Sequence, residues 1–308
     1  MQLVRGLHNL NERHRSCALT IGNFDGVHLG HRQILQDLKA AADRLQLASC
    51  IMSFEPLPQE YFAQHTAPAR LQRIREKWHS LLSSEIDYFL CVAFNHQMAQ
   101  LSADDFIKEI LVERLDIKYL LVGDDFHFGH NRRGSFDTLR QAGHKYGFEV
   151  HNSPSHCYQD KRISSTRIRH ALQCDQLEQA ALMLGHAYQI CGRVAHGEKR
   201  GRTIGFPTAN IKLHRQCSPV QGVYAVELTA DNNRRIKGVA NVGKRPTVNG
   251  ETLQLEVHLF NFNEDLYGEH VCVEFKQKIR DEKRFDSFDD LKRQIIKDSE
   301  QAKTFFAA

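Results

Sequence analysis

The sequence predicts an α/β domain built on a parallel sheet, followed by an antiparallel β-barrel with a C-terminal helix. Three observations carry this reading. Short apolar runs alternate with helically spaced apolar residues through the first half of the chain. Beyond Leu184 the pattern changes to short alternating runs cut by Gly and Pro. The end carries a capping signature ahead of a last helical repeat. Strand–helix alternation gives a parallel sheet covered by helices. Evenly spaced alternating strands give an antiparallel sheet or barrel.

Each element has its own signal. Residues 17–21 are an apolar run, and Ile34, Leu35, Leu38, Ala41, Ala42 and Leu45 keep helical spacing after it. Residues 47–54 form the next strand, and Leu71, Ile74, Trp78, Leu81 and Leu82 the next helix. Residues 88–94 are a third strand. Ser102-Ala103-Asp104-Asp105 then resembles a capping box, with Phe106, Ile107, Ile110 and Leu111 on one face behind it. Residues 117–122 and 148–151 complete five strands. The grammar changes at Leu184-Gly185-His186, and residues 223–229, 236–242, 253–260 and 271–275 are alternating strands. Ser287-Phe288-Asp289-Asp290 is a second capping box, opening a helix with Leu291, Ile295 and Ile296. The predicted domains are 1–185 and 186–308, the second divided into a barrel over about 186–283 and a helix over about 286–305.

Composition narrows the function classes. A chain of 308 residues fits two domains of roughly 150. Its 41% apolar and 25% charged residues are those of a folded globular protein and exclude bulk disorder. Forty-one Lys and Arg against 37 Asp and Glu leave +4, a poor basis for nucleic acid as the main partner. No apolar run reaches the roughly 18–20 residues that span a bilayer. The segment Met1-Gln2-Leu3-Val4-Arg5-Gly6-Leu7-His8 lacks the apolar core of a secretory signal. No membrane partner and a cytoplasmic location are therefore expected, with the oligomeric state left open between monomer and weak oligomer. The eight cysteines show no C-x-x-C spacing and are read as reduced core thiols.

The sharpest local motif is Gly22-Asn23-Phe24-Asp25-Gly26-Val27-His28-Leu29-Gly30-His31, between the first strand and the first helix. His28 and His31 share a face with the free N–H groups and the positive end of that helix, an arrangement suited to a triphosphate. Imidazoles can donate to phosphate oxygens, and Gly30 leaves room for phosphates near the backbone. Two exposed helix histidines beside a Gly turn are the plainer alternative. In Ile163-Ser164-Ser165-Thr166-Arg167-Ile168-Arg169, hydroxyls precede cations at a helix start, fitting either a second phosphate cradle or ordinary N-capping.

Gly123-Asp124-Asp125-Phe126-His127-Phe128-Gly129 offers carboxylates and aromatics beyond the fourth strand, a place to stack a planar ring. Phe54-Glu55-Pro56-Leu57-Pro58 could form another wall. A capped loop with core aromatics is the plainer account of each. In the second domain, Gly192, His196, Gly197 and Arg202 lead into Pro207-Thr208-Ala209-Asn210, whose oxygens are hard donors suited to magnesium on a nucleotide. Glu256 lies mid-strand on the face opposite its apolar neighbours. Beside a phosphate site it becomes a candidate general base, with His258 on the same face. Gly238-Val239-Ala240-Asn241-Val242-Gly243-Lys244 mimics a P-loop but continues into Arg245, so the magnesium-binding hydroxyl is missing.

Taken in order, these segments resemble the bacterial bifunctional riboflavin kinase/FMN adenylyltransferase (FAD synthetase) family over nearly the whole chain. The resemblance implies a Rossmann-like nucleotidyltransferase domain at 1–185 and a six-stranded riboflavin kinase barrel at 186–308. It implies that ATP phosphorylates riboflavin to FMN, and that a second ATP adenylylates FMN to FAD, with Mg2+ as cofactor. Asn23, Asp25, His28 and His31 match the adenylyltransferase signature. Ser164, Ser165, Thr166 and Arg169 match the second phosphate motif, with Arg169 rather than Arg167 in the arginine position. Thr208 and Asn210 match the residues holding Mg-ATP, and Glu256 the kinase base. Phe54, Pro56, Pro58, Asp125, Phe126 and Phe128 are the expected flavin contacts. His127 stands where Arg is frequent, and Lys199-Arg200 make the kinase loop unusually basic. A monofunctional adenylyltransferase would not need Thr208, Asn210 and Glu256, and a flavin- or RNA-binding module without catalysis would need neither the His pair nor Glu256.

Overall fold

The computed structural model describes residues 1–63, 66–123, 125–195, 206–230, 234–247 and 250–307. Two compact units emerge, one from Met1–Pro68 with Arg73–Ser164, the other from Ala69–Gln72 with Ser165–Ala308.

The first unit is a six-stranded sheet in the order β1-β4-β3-β2-β5-β6. Its strands are β1 Gln2–Arg5, β2 Cys17–Ile21, β3 Ala48–Glu55, β4 Tyr88–Ala93, β5 Tyr119–Gly123 and β6 Glu149–Ser153, all paired in parallel. Five match the sequence expectation. The sixth, β1, is a four-residue edge strand with one buried side chain, Val4, too short to show a period. Every residue of central β2 is buried, as expected of a strand covered on both faces. Ala18, Ile51, Phe89, Tyr119 and Leu121 pack on one side with Leu35, Leu38 and Ala42 of α1 (Leu29–Leu45) and Leu81 of α2 (Ile74–Leu81). Cys17, Leu19, Met52, Leu90, Leu120 and Val122 pack on the other, against Phe106, Ile107, Ile110 and Leu111. The chain runs β2, β3, β4 to one side and then crosses to β5 on the other. The ends of β2 and β5 are thus neighbours at a topological switch point, where ligands of open α/β sheets bind.

A two-stranded antiparallel hairpin, β7 Cys157–Tyr158 and β8 Lys161–Arg162, follows β6 in the first unit. The second unit is a closed barrel, ordered β10-β13-β12-β11-β14-β9. It comprises β9 Gln189–Ala195, β10 Thr208–Lys212, β11 Gly222–Thr229, β12 Arg235–Thr247, β13 Gly250–Leu259 and β14 His270–Arg280, every pair antiparallel. Leu253, Leu255, Val257 and Leu259 point inward while Gln254, Glu256 and His258 point outward. Helices α3 (Ser165–Gln173) and α4 (Leu177–Leu184) precede the barrel in the same unit. The terminal helix α5 (Phe288–Ala307) packs Ala302 and Phe306 against Val223, Ala225 and Val239 on the outer face. Both capping signatures form as expected, Ser102 Oγ accepting from Asp105 N–H and Ser287 Oγ from Asp290 N–H. The P-loop mimic, residues 238–244, lies inside strand β12.

One expectation is corrected. Cys191 and Cys272 form a disulfide, whereas the sequence was read as all thiols. The two face each other in the β9–β14 register with Cα atoms 4.0 Å apart, a juxtaposition that only barrel closure creates. Among the other cysteines, Cys17 and Cys50 are buried thiols, as expected, but Cys157 and Cys174 are exposed and Cys91 and Cys217 half-buried, so these four are thiols outside the core.

Candidate active sites

The loop after β2 is bent back by its own backbone. Phe24, Gly26 and Val27 have φ of 46°, 90° and 37°. For Gly26 this is unstrained, but the other two are held by burial of their side chains at 2% and 1% exposure. The bend delivers His28 to the N-cap of α1, where its Nδ1 accepts from His31 N–H at 3.2 Å. An accepting Nδ1 puts the proton of the neutral ring on Nε2, which becomes a donor. The rings of His28 and His31 stack at 3.6 Å, and a Cβ at Gly30 would meet the His28 ring at 3.3 Å, so Gly30 makes space for this stack. Burial, then His28, Lys77 and Arg162, push the His31 imidazole well below its usual range. His31 is therefore a neutral ring at neutral pH, and His28, with Nδ1 accepting, presents Nε2–H as its donor.

Beside this loop, at the ends of β3 and β5, stand the expected ring-binding residues. Phe54 packs edge-on to Phe94 at 5.6 Å, and Tyr61 and Phe62 meet the same Phe94 ring at 5.4 and 5.7 Å. Phe62 is 69% exposed, an aromatic offered to solvent at the rim of the sheet. Pro56 is exposed, and Pro58 opens the helix Pro58–Phe62. Phe128 is buried against Phe106 at 5.4 Å, so it serves as the floor under Phe126, which stacks on it at 5.6 Å. Asp125 pairs with Arg162 at 2.8 Å, and His127 turns its Nδ1 to the Asp125 carbonyl. Phe94, Tyr61, Phe62, Lys77 and Arg162 were not singled out from the sequence. The two phenylalanines and the tyrosine lie outside any Gly-rich motif, and the two cations become neighbours of the site only through the fold.

Ser164 closes the first unit, and Ser165, Thr166 and Arg169 lie in α3 of the second. Arg169 is 8% exposed and its Nε donates to the Ala69 carbonyl at 2.6 Å.

On the barrel, Thr208 and Asn210 alternate onto one face of β10. The register sets Asn210 opposite Glu256 and Thr208 opposite His258, with Asn241 of β12 flanking Glu256 from the other side. A hydroxyl, a carboxamide and a carboxylate thus share one patch. Asn210 Nδ2 donates to the Thr208 carbonyl at 3.3 Å, which leaves its carbonyl oxygen as the outward donor. His258 uses Nδ1 on the Pro207 carbonyl at 3.0 Å between the rings of Phe206 and Phe260, and burial lowers its pKa. It buttresses the segment that presents Thr208. Gly192 has a packing role, since a Cβ there would come within 2.6 Å of Ile211. His196, Gly197, Lys199, Arg200, Arg202 and the loop position Asp124 lie outside the described residues.

The chain matches the FAD synthetase family model over residues 10–167 and the riboflavin kinase family model over residues 184–306. It is 52% identical over 306 residues to the bifunctional riboflavin kinase/FMN adenylyltransferase of Haemophilus influenzae, covering 99% of each chain. It is 51% identical over 307 residues to the Escherichia coli K12 protein of the same name, covering 99% of this chain and 98% of that one. A solved structure from Streptococcus pneumoniae, described as a macrolide-efflux protein, superposes with a TM-score of 0.80 at 30% identity, covering 98% of this chain and 99% of that one. Among the described residues, no helix is long and apolar enough to cross a membrane. With two domain models in tandem and half-identical relatives along its full length, this chain belongs to the family of bifunctional riboflavin kinase/FMN adenylyltransferases.

Proposed function

We propose that the family's two reactions occupy two separate sites on this chain, adenylyl transfer at the His28–His31 loop and phosphoryl transfer on the outer face of β10 and β13. The protein is a riboflavin kinase and an FMN adenylyltransferase, with ATP as co-substrate and riboflavin, FMN and FAD as substrates or products. The observation that carries the assignment of sites is chemical. A stacked imidazole pair with His31 held neutral lies in one unit, and a carboxylate beside oxygen donors lies in the other. We assign residues 1–185 to the first reaction and 186–308 to the second.

The riboflavin 5′-hydroxyl is neutral, so its attack on the γ-phosphorus of ATP needs a proton acceptor, the role of Glu256. Thr208 and Asn210 present the hard oxygens that would hold Mg2+ with ATP, and their shared face with Glu256 fits that ion. When bound, the ion supplies charge neutralisation at the phosphates. FMN brings its own anionic phosphate nucleophile to the α-phosphorus of a second ATP. That step needs charge stabilisation rather than a base, which His28, His31, Asn23 and the α1 N-terminus supply, while the Gly22 N–H is already given to the Met52 carbonyl. The match of Ser164, Ser165, Thr166 and Arg169 to the family's second phosphate motif gives those residues a phosphate-binding role. Asp25, 1% exposed, is buried within the same loop. Phe54, Phe126 and the rim aromatics stack the flavin ring. The near balance of charge, +4 over the chain, supports small molecules as partners, with no nucleic acid or membrane surface, in a cytoplasmic monomer or weak oligomer. Incubation with riboflavin and Mg-ATP, followed by chromatography, tests the function. FMN and then FAD are expected, and FMN without FAD, or neither, contradicts it.

A further inference from the structure

Lys77 of α2 is 1% exposed. Its Nζ donates to the Asn23 carbonyl at 2.5 Å and to Ser53 Oγ at 3.3 Å, and Ser53 Oγ also reaches the Asn23 carbonyl at 3.3 Å. Burying an ammonium costs several kcal/mol before any partner repays it, and an apolar side chain would fill the same space without that cost. The charge sits directly beneath the loop that turns β2 into α1. We propose that Lys77 is a positioning residue for adenylyl transfer: with Ser53 it fixes the Asn23 carbonyl, hence the pitch of the loop carrying Asp25 and His28, and it sets its ammonium group behind the His pair.

The proposal rests on the reading that this pair serves adenylyl transfer. Lys77 also disfavours the charged form of His31. The other groups facing His31 are His28 from the helix cap and Arg162 from the hairpin strand Lys161–Arg162, the latter tied to Asp125; His156 lies against Gly30. Protonating His31 would set a cation against Lys77, Arg162 and the stacked His28 ring; a ring held neutral keeps the stack and its donor geometry as the medium acidifies, so the ammonium extends the working range of the site downward in pH.

The test uses full-length protein with Lys77→Met, Lys77→Arg and the double variant His28→Ala with His31→Ala, assayed for FMN adenylylation between about pH 5 and 8. Lys77→Met should lower kcat by about 10- to 100-fold, as misplaced positioning groups do, with riboflavin phosphorylation unchanged. Its acid limb should move upward in pH, because His31 loses a repelling charge. Lys77→Arg should keep the limb where the parent has it. A Lys77→Met protein with parental rate and limb overturns the proposal. So does a lowered rate with an unmoved limb, which marks a packing role only, or failure to fold, which makes Lys77 a folding residue. A displaced limb in Lys77→Arg overturns it as well. The double His variant separates this failure from that of the underlying reading: if it still adenylylates FMN, the site itself is elsewhere.

Discussion

Asn23, Asp25, His28 and His31 are gathered within one loop and the first turn of the helix after it. Thr208 and Asn210 meet Glu256 only because two strands of a closed barrel pair in one register. The first arrangement is local. Its geometry is written in positive φ angles, an N-cap and a ring stack between neighbours in sequence. The second is global. A shift of one residue in the β10–β13 pairing would turn Glu256 into the barrel interior. The contrast follows the chemistry. A nucleophile that already carries charge needs a cluster of donors, which a helix start provides. A neutral hydroxyl needs a base held against the nucleotide's oxygen donors, which a rigid sheet face provides.

The largest expected effect that separates the two regions comes from His28→Ala with His31→Ala. Removing two donors at the reacting phosphate should cost FMN adenylylation about 10³-fold or more. Riboflavin phosphorylation, in the other unit, should persist. Equal loss of both rates in a folded protein would merge the sites. Next is Glu256→Gln, which keeps shape and hydrogen-bonding capacity but removes the base. Riboflavin phosphorylation should fall by about 10²–10⁴-fold with adenylylation unchanged. Retention of more than about a tenth of the rate would remove Glu256 from the role of base.

A smaller effect concerns where the kinase half begins. Asp175, between α3 and α4, accepts from Tyr224 Oη and pairs with Lys278 Nζ at 2.8 Å. A fragment of 186–308 should fold and bind riboflavin and ATP. Extending it to 165–308 should raise its stability by at least about 1 kcal/mol in urea unfolding, through those two contacts. Identical midpoints would show that α3 and α4 contribute nothing to the barrel.

The smallest effect is a dependence on pH. Burial holds His31 well below its ordinary value of 6.5. Below that value the unfolded ring takes up a proton that the folded ring refuses. The first unit is therefore most stable above about pH 6.5 and loses stability as pH falls toward the folded value. Its thermal midpoint should drop by about 2–4 °C between roughly pH 7 and 5, and His31→Gln should flatten the drop. A variant with the parental slope would show that His31 is not the group responsible.

The same contrast governs what the sequence could tell. The strand order of motifs, the His pair and both helix caps were legible because each is a short-range pattern read through one period or one turn. Thr208, Asn210 and Glu256 were named one by one, but their meeting was not legible, because register is decided by barrel closure. The Cys191–Cys272 disulfide was missed for that reason too. Lys77 reads in sequence as a polar position between Ile74 and Trp78, and only the fold shows that its ammonium turns inward beneath Asn23. Phe128 looked like a flavin contact because the motif shows an aromatic and not its direction, and in the fold its ring lies in the core.

The central claim, two separate sites for the two reactions, is tested most directly by mixing, since FMN made on one chain can then reach FAD only on the other. Glu256→Gln protein and His28→Ala/His31→Ala protein are each supplied with riboflavin and Mg-ATP, alone and together, and FAD is measured by chromatography. Alone, the first should make little FMN to adenylylate, and the second should stop at FMN. Together they should form FAD at a rate approaching that of the parent chain. A mixture that makes no more FAD than its two components separately would contradict the account.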